Sequence, residues 1–241
     1  MSQNRTPSRS CGGYLRQVND TARSVLVLGA TGLVGSEIVR QLLADQTVSH
    51  IIAVTRRPFE TASADSRLRS AVVDLDRLSD IGDAFQVDQI FCALGTTIKQ
   101  AGSQDAFRHV DFEIPLAAAG LGLEHGVKDF LLVSALGASA RSRVFYNRVK
   151  GELEDALRTL PFRSLTIARP SLLIGPRLKR RVGEEVGRRL GWLAPGRYRP
   201  VRASRVAAAL VAAACRPEPG MRIIESNEIQ RFPVPASRPR T

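Results

Sequence analysis

The stretch Ser24-Val25-Leu26-Val27-Leu28-Gly29-Ala30-Thr31-Gly32-Leu33-Val34-Gly35 constrains this chain more than any other. Ser24–Leu28 is an apolar run that ends at a glycine, which predicts a buried strand. Leu33–Leu43 follows with Val34, Ile38 and Leu42 four apart, which predicts a helix packed on that strand. Gly29, Gly32 and Gly35 punctuate the turn between them. A helix that starts there points unpaired amides and the positive end of its dipole just beyond the strand, a ready site for phosphate. The first glycine permits the tight turn, the second lets backbone approach a pyrophosphate, and the third lets helix and strand pack closely. Gly29, Ala30, Thr31, Gly32, Leu33, Val34 and Gly35 are therefore the candidate contacts to a dinucleotide. The alternative is a glycine-rich turn without a ligand.

The same alternation continues down the chain, which predicts an α/β fold: a Rossmann-like, doubly wound parallel sheet with covering helices. Further strands are expected at Ile51–Val54, at Ala71–Val73 closing at Asp74, at Gln89–Leu94, at Asp129–Val133 and at Ser164–Ala168. A long helix is expected over Gln104–His125, bent near Pro115, and another from about Val144 to Leu160. After Pro176 the pattern weakens. Arg177–Trp192 reads as a helix and Pro195–Pro200 as a loop. Ser204–Cys215 reads as an Ala-rich helix with Ser204 as its N-cap, and Met221–Ile224 as a short closing strand. Residues 24–225 then form one domain, with 177–225 a substrate or lid elaboration. Residues 1–23 and 226–241 are expected to be disordered.

The second strand ends in Thr55-Arg56-Arg57, where a site preferring NAD usually carries an acid that bonds the ribose 2′-hydroxyl. An arginine there suits a 2′-phosphate through its planar fork, so Arg56 and Arg57 point to NADP(H). Asp74, with Leu75 beside it, closes the third strand where a carboxylate meets an adenine amino group; a plain turn residue is the other reading. Ala93, Leu94 and Gly95, followed by Thr96, close the fourth strand along the expected cofactor path. Cys92 reads as a small buried apolar residue rather than a nucleophile.

Tyr146-Asn147-Arg148-Val149-Lys150 places Tyr146 and Lys150 one helical turn apart on one face. Ser134 ends the fifth strand, twelve residues before Tyr146. Ligands of open α/β sheets lie beyond that end of the strands, so the three groups are expected to converge. Lys150 would favour loss of the Tyr146 proton, Tyr146 would give its proton to a carbonyl oxygen, and Ser134 would hold that oxygen. The alternatives are a strand-end cap and an exposed helix face.

Composition narrows the classes. The chain has 241 residues and three cysteines, Cys11, Cys92 and Cys215, with no CxxC spacing. His50, His109 and His125 show no HExxH spacing. Neither a disulfide framework nor a metal site is expected, and a reducing, cytoplasmic location is. No run is long and apolar enough to span a membrane. Residues 1–23 carry four Arg and lack the apolar core of a signal peptide; a transit peptide is the alternative to a plain tail. The formal charge is +12, and Arg177–Arg205 holds ten Lys or Arg against two Glu. That segment could meet an anionic substrate, RNA or a membrane surface. With Trp192 and Tyr198 as its only aromatics, it argues for a solvated face over a nucleic-acid reader.

With these residues in place, the chain resembles the short-chain dehydrogenase/reductase superfamily in its atypical branch, from about Ser24 to Cys215. Gly29, Gly32, Gly35, Ser134, Tyr146 and Lys150 match its cofactor and catalytic positions. More closely, Phe91–Thr97, Val110-Asp111 and the Tyr146–Lys150 helix resemble the Tat-interacting-protein-like NADPH-binding oxidoreductases. The resemblance implies that Arg169-Pro170-Ser171, with Gly175-Pro176, touches the nicotinamide and opens the substrate region. One departure stands out: where many superfamily members carry an Asn that supports a proton relay, this chain has Asp111. The expected function is NADPH-dependent reduction of a carbonyl on a small molecule. The alternatives are an NADPH-sensing protein acting through partners and a binder of RNA or membrane surfaces. Monomer and dimer fit the sequence equally.

Overall fold

The computed structural model of the chain describes residues 22–57, 65–174 and 196–233. The sheet is built from β1 (Arg23–Leu28), β2 (Val48–Thr55), β3 (Leu68–Val72), β4 (Gln89–Cys92), β5 (Asp129–Val133), β6 (Ser164–Arg169) and β9 (Gly220–Glu225). Its order is β3-β2-β1-β4-β5-β6-β9, and every pair is parallel. Central strands of such a sheet are covered on both faces, so most of their positions are apolar. β4 and β5 are buried throughout, as is β1 from Val25 to Leu28.

Helices cover both faces. On one, α1 (Leu33–Ala44) packs against α6 (Ala203–Cys215), and both lie on Val25, Val27, Phe91, Leu131 and Val133. On the other, α4 (Ile114–Glu124), α5 (Phe145–Arg158) and a 3-10 segment, Leu75–Phe85, cover Leu26, Leu28, Ile90, Phe130 and Leu132. The crossovers leave β1 toward β2 on one side, while β4 pairs on the other. A crevice therefore opens beyond the ends of β1 and β4, the topological switch point where ligands of such sheets bind.

Several elements differ from the sequence reading. β3 begins at Leu68, three residues before the expected Ala71. It is an edge strand whose pairing with β2, Ile51 to Leu68 through Thr55 to Val72, sets its extent while Arg69 and Ser70 stay exposed. The expected helix over Gln104–His125 is α3 (Gln104–Arg108), a π turn (His109–Glu113) and α4. Pro115 sits in the first turn of α4 and is not itself the bend. Its missing N–H and its ring disturb the carbonyl four residues earlier, which belongs to Asp111, so the helix widens there.

Ser204 is not an N-cap. A two-residue strand, β8 (Val201–Arg202), pairs with β7 (Leu173–Ile174), so the chain is extended through Arg202 and α6 starts directly after it. β1 begins at Arg23, inside the supposed extension, where Arg23 Nη2 meets Asp45 Oδ2 at 2.6 Å. The supposed tail also folds in part: α7 (Ser226–Ile229) buries Ser226 and Ile229, with Phe232 packed beside the core. The sequence reading places no element over the short helix α2 (Ile98–Ala101) or the 3-10 segment, although Leu75, Leu78, Ile81 and Phe85 recur at helical spacing and pack on the core. The readings of Arg177–Trp192 and Gly175-Pro176 as helix and pocket lie outside the described residues, as do 1–21 and 234–241.

Candidate active site

Gly29 leaves β1 with φ +78, a conformation that L side chains rarely adopt. A Cβ there would also lie 2.6 Å from the carbonyl oxygen of Ala93, so the loops after β1 and β4 touch at the switch point. Gly35, in the first turn of α1, lies over the same turn: a Cβ on it would come within 2.1 Å of the Gly29 carbonyl oxygen. Gly32 N-caps α1 without a side-chain cap, which leaves the amides of its first turn for another acceptor. Ala30 and Val34 are buried, Thr31 is exposed and Leu33 packs against the core. A turn this tight, with bare amides at a helix start, fits the pyrophosphate of a dinucleotide.

Around the crevice, Arg56 and Arg57 follow β2 and are exposed. The buried Thr55 hydroxyl donates to the carbonyl oxygen of Arg57 at 2.7 Å and fixes that exit. Asp74 is exposed and accepts the Asp76 N–H at 3.3 Å, so it caps the 3-10 segment that begins at Leu75. Ala93, Leu94 and Thr96 are half-buried, and Gly95 is exposed. The Cys92 thiol is fully buried and its pKa is pushed up to about 11 by desolvation, so it is an inert thiol, as read from its apolar setting.

α5 carries Tyr146, Lys150 and Glu154 four residues apart, hence in one row. The Tyr146 ring leans on Phe107 of α3, with centroids 5.4 Å apart. Lys150 Nζ lies 2.7 Å from Asp111 Oδ1 in the π turn, and both side chains are buried. Asp111 Oδ2 accepts the N–H of Thr96 at 2.9 Å. Burial alone would lower the pKa of Lys150; the charges of Asp111 and then Tyr146 more than offset it, so the ammonium is held above its ordinary range.

Ser134 is buried at the end of β5, but its hydroxyl donates to Glu154 Oε1. Arg169 Nε donates to the same carboxylate at 3.1 and 3.2 Å, and Arg169 Nη1 reaches Glu225 at 3.2 Å. Glu154 first and Glu225 second raise the pKa of the Arg169 guanidinium, and partial burial offsets only some of this. Pro170 is buried, and its carbonyl oxygen accepts the Leu136 N–H at 2.8 Å. The structure thus groups Tyr146 with Lys150 and Asp111, and Ser134 with Glu154 and Arg169.

The model of a family described as NAD(P)H-binding matches residues 29–215. The chain belongs to this family, within the atypical short-chain dehydrogenase/reductases. It is 36% identical over 193 residues to "Protein FMP52, mitochondrial" of Candida albicans, covering 76% of this chain and 84% of that protein. It is 36% identical over 170 residues to "Protein HTATIP2" of Rattus norvegicus, covering 69% of each. Among solved structures, it resembles a UDP-N-acetylglucosamine 4-epimerase from Methanobrevibacter ruminantium M1 in complex with UDP-N-acetylmuramic acid. That likeness has TM-score 0.67 and 14% identity over 85% of this chain and 77% of the other. MoeE5 in complex with UDP-glucuronic acid and NAD gives TM-score 0.64 and 18% identity over 83% and 75%. These two likenesses establish the α/β fold.

Within this NAD(P)H-binding protein, sequence reasoning missed Glu154 and the embrace of Asp111 by Lys150. The first had a signal: an acid at position eight of the row begun by Tyr146 must face the same way. The second depends on the π turn, whose sequence signal is Pro115 but whose place in the helix register the spacing alone does not fix. Cytoplasmic location does not follow from relatives named mitochondrial. No described helix is long and apolar enough to cross a membrane.

Proposed function

We propose that the protein is an NADPH-dependent reductase of a small carbonyl compound, with Tyr146 as proton donor. One observation carries the reading: Tyr146 and Lys150 lie on one face of α5, with the Lys150 ammonium buried and held charged. When bound, the reduced nicotinamide supplies a hydride to the carbonyl carbon. Tyr146 gives its phenolic proton to the carbonyl oxygen, an alcohol leaves, and solvent reprotonates Tyr146. Lys150 stabilises the phenolate left behind and offers its remaining N–H groups to the ribose. Arg56 and Arg57 support NADPH over NADH. Ser134 holds the carbonyl oxygen in this reading only if its hydroxyl leaves Glu154.

That last condition favours a second reading, an NADPH sensor acting through partners, since one of three expected catalytic groups is already engaged. Single-turnover oxidation of bound NADPH against a carbonyl panel separates the two. Oxidation that needs Tyr146 supports the reductase; no oxidation, with a partner affinity that changes on NADPH binding, supports the sensor. Cysteine usage supports a reducing compartment. The cytoplasm and the mitochondrial matrix both meet that condition, and fractionation separates them.

A further inference from the structure

We propose that Asp111 is a positioning residue: it holds Lys150 in a buried, charge-neutral pair and ties it to the loop after β4, so that Lys150 faces Tyr146 as a fixed donor rather than an unbalanced cation. The inference rests on the reductase reading for its catalytic meaning, but not for its test.

Three elements meet at this carboxylate. Asp111 comes from the π turn, Lys150 from α5 and the Thr96 N–H from the loop after β4. Side-chain exposure is 0% for Asp111 and 3% for Lys150, so water does not screen the pair. An isolated buried ammonium loses its proton, whereas a paired one keeps it. Tyr146 on α5 and Cys92 on β4 also act on Lys150. The Cys92 thiol stays protonated at neutral pH, so Asp111 is the counter-charge that matters among these.

The 2.7 Å contact of Lys150 Nζ with Asp111 Oδ1 is an ion pair that occupies one side of the ammonium. An ammonium has three N–H groups, and the others stay available for Tyr146 and for a ligand hydroxyl. Asn at this position would leave Lys150 without a counter-charge, and burial would then drive off its proton. Asp keeps that proton on Lys150 within a neutral pair and holds the donor in place. The π turn is what brings the carboxylate into the core, and Pro115 is the sequence feature that produces the turn.

The test is Asp111→Asn, which keeps an acceptor for Thr96 and deletes the charge. Ultraviolet difference titration follows tyrosinate formation without any substrate. Matching Tyr146→Phe backgrounds remove the signals of Tyr14 and Tyr198. The Tyr146 step is expected about one pH unit or more higher in Asp111→Asn, because Lys150 without its counter-charge loses its proton and no longer favours the phenolate. Asp111→Glu should return it toward the native position. An unmoved or lowered step in a folded Asp111→Asn protein overturns the proposal. Because no turnover is read, failure of the reductase reading would show separately, as native protein that oxidises no NADPH. If Asp111→Asn does not fold, Asp111→Asn with Lys150→Met decides. Restored cooperative folding supports a neutral pair, and a double variant that also fails overturns it.

Discussion

The Ser134 hydroxyl donates to Glu154, and Glu154 is buried to 1% of its side-chain exposure by the same packing that brings Arg169 onto it. Removing this carboxylate strands a partly buried guanidinium and a buried hydroxyl. Glu154→Ala is therefore expected to lose about 3 kcal/mol or more of stability, as in other broken buried pairs. Glu154→Gln should lose less, because an amide oxygen still accepts from Ser134. Urea denaturation of both variants measures the difference, and equal losses would mean that the Ser134 hydrogen bond adds nothing beyond the ion pair.

Tyr146→Phe removes the phenolic proton and keeps the ring contact with Phe107. Carbonyl reduction should fall by about a hundredfold or more. NADPH affinity and melting temperature should change little. Fluorescence titration alongside steady-state rates checks both, and an active Tyr146→Phe protein would remove Tyr146 from the chemistry.

Gly29→Ala introduces a methyl 2.6 Å from the Ala93 carbonyl oxygen at a positive φ. The strain is of order 1–3 kcal/mol, with a loop shift added. NADPH binding should weaken at least about tenfold. Calorimetric titration tests this, and unchanged affinity would place the cofactor elsewhere.

Arg56→Ala with Arg57→Ala should cut NADPH affinity about ten- to a hundredfold, the scale of one or two charge-assisted hydrogen bonds. NADH affinity should barely move. An equal loss for both cofactors would mean that these arginines do not read the 2′-phosphate.

His109 bridges Glu113, 2.7 Å from Nδ1, and Asp76, 2.5 Å from Nε2. The Glu113 contact first and the Asp76 contact second raise its pKa above the ordinary histidine value. A raised folded-state pKa means the stabilisation is complete below the unfolded value of about 6.5 and disappears as pH rises through the folded value. The site is substantially exposed, so the gain stays under about 1 kcal/mol. Thermal melts across that window should decline in the native protein and flatten in His109→Asn.

The parts of the fold that rest on local pattern were legible. β1, the glycine turn and α1 follow from one apolar run, three glycines and one helical period. Tyr146 and Lys150 follow from a four-residue spacing. What escaped the sequence depends on contacts between distant segments. β3 takes its extent from pairing with β2 rather than from its own apolar residues, and α6 starts after a two-residue strand that only β7 explains. Ser134 has the right position in the chain, yet its hydroxyl meets Glu154, whose reach could be seen from the helix row but whose partner could not. The widened turn at Asp111 follows from Pro115 once the helix register is known.

The packing of α6 on α1 has a consequence for synthesis. One face of the sheet is roofed by α1, which directly follows β1, and by α6, which ends at Cys215. A ribosome releasing the chain from its N-terminus therefore exposes β1, β4 and β5 before their second cover exists. Val25, Phe91, Leu131 and Val133 would be open to solvent or to a chaperone for much of translation. Chains stalled before Ala203 are expected to bind a hydrophobic dye strongly and to lose that binding once α6 has emerged.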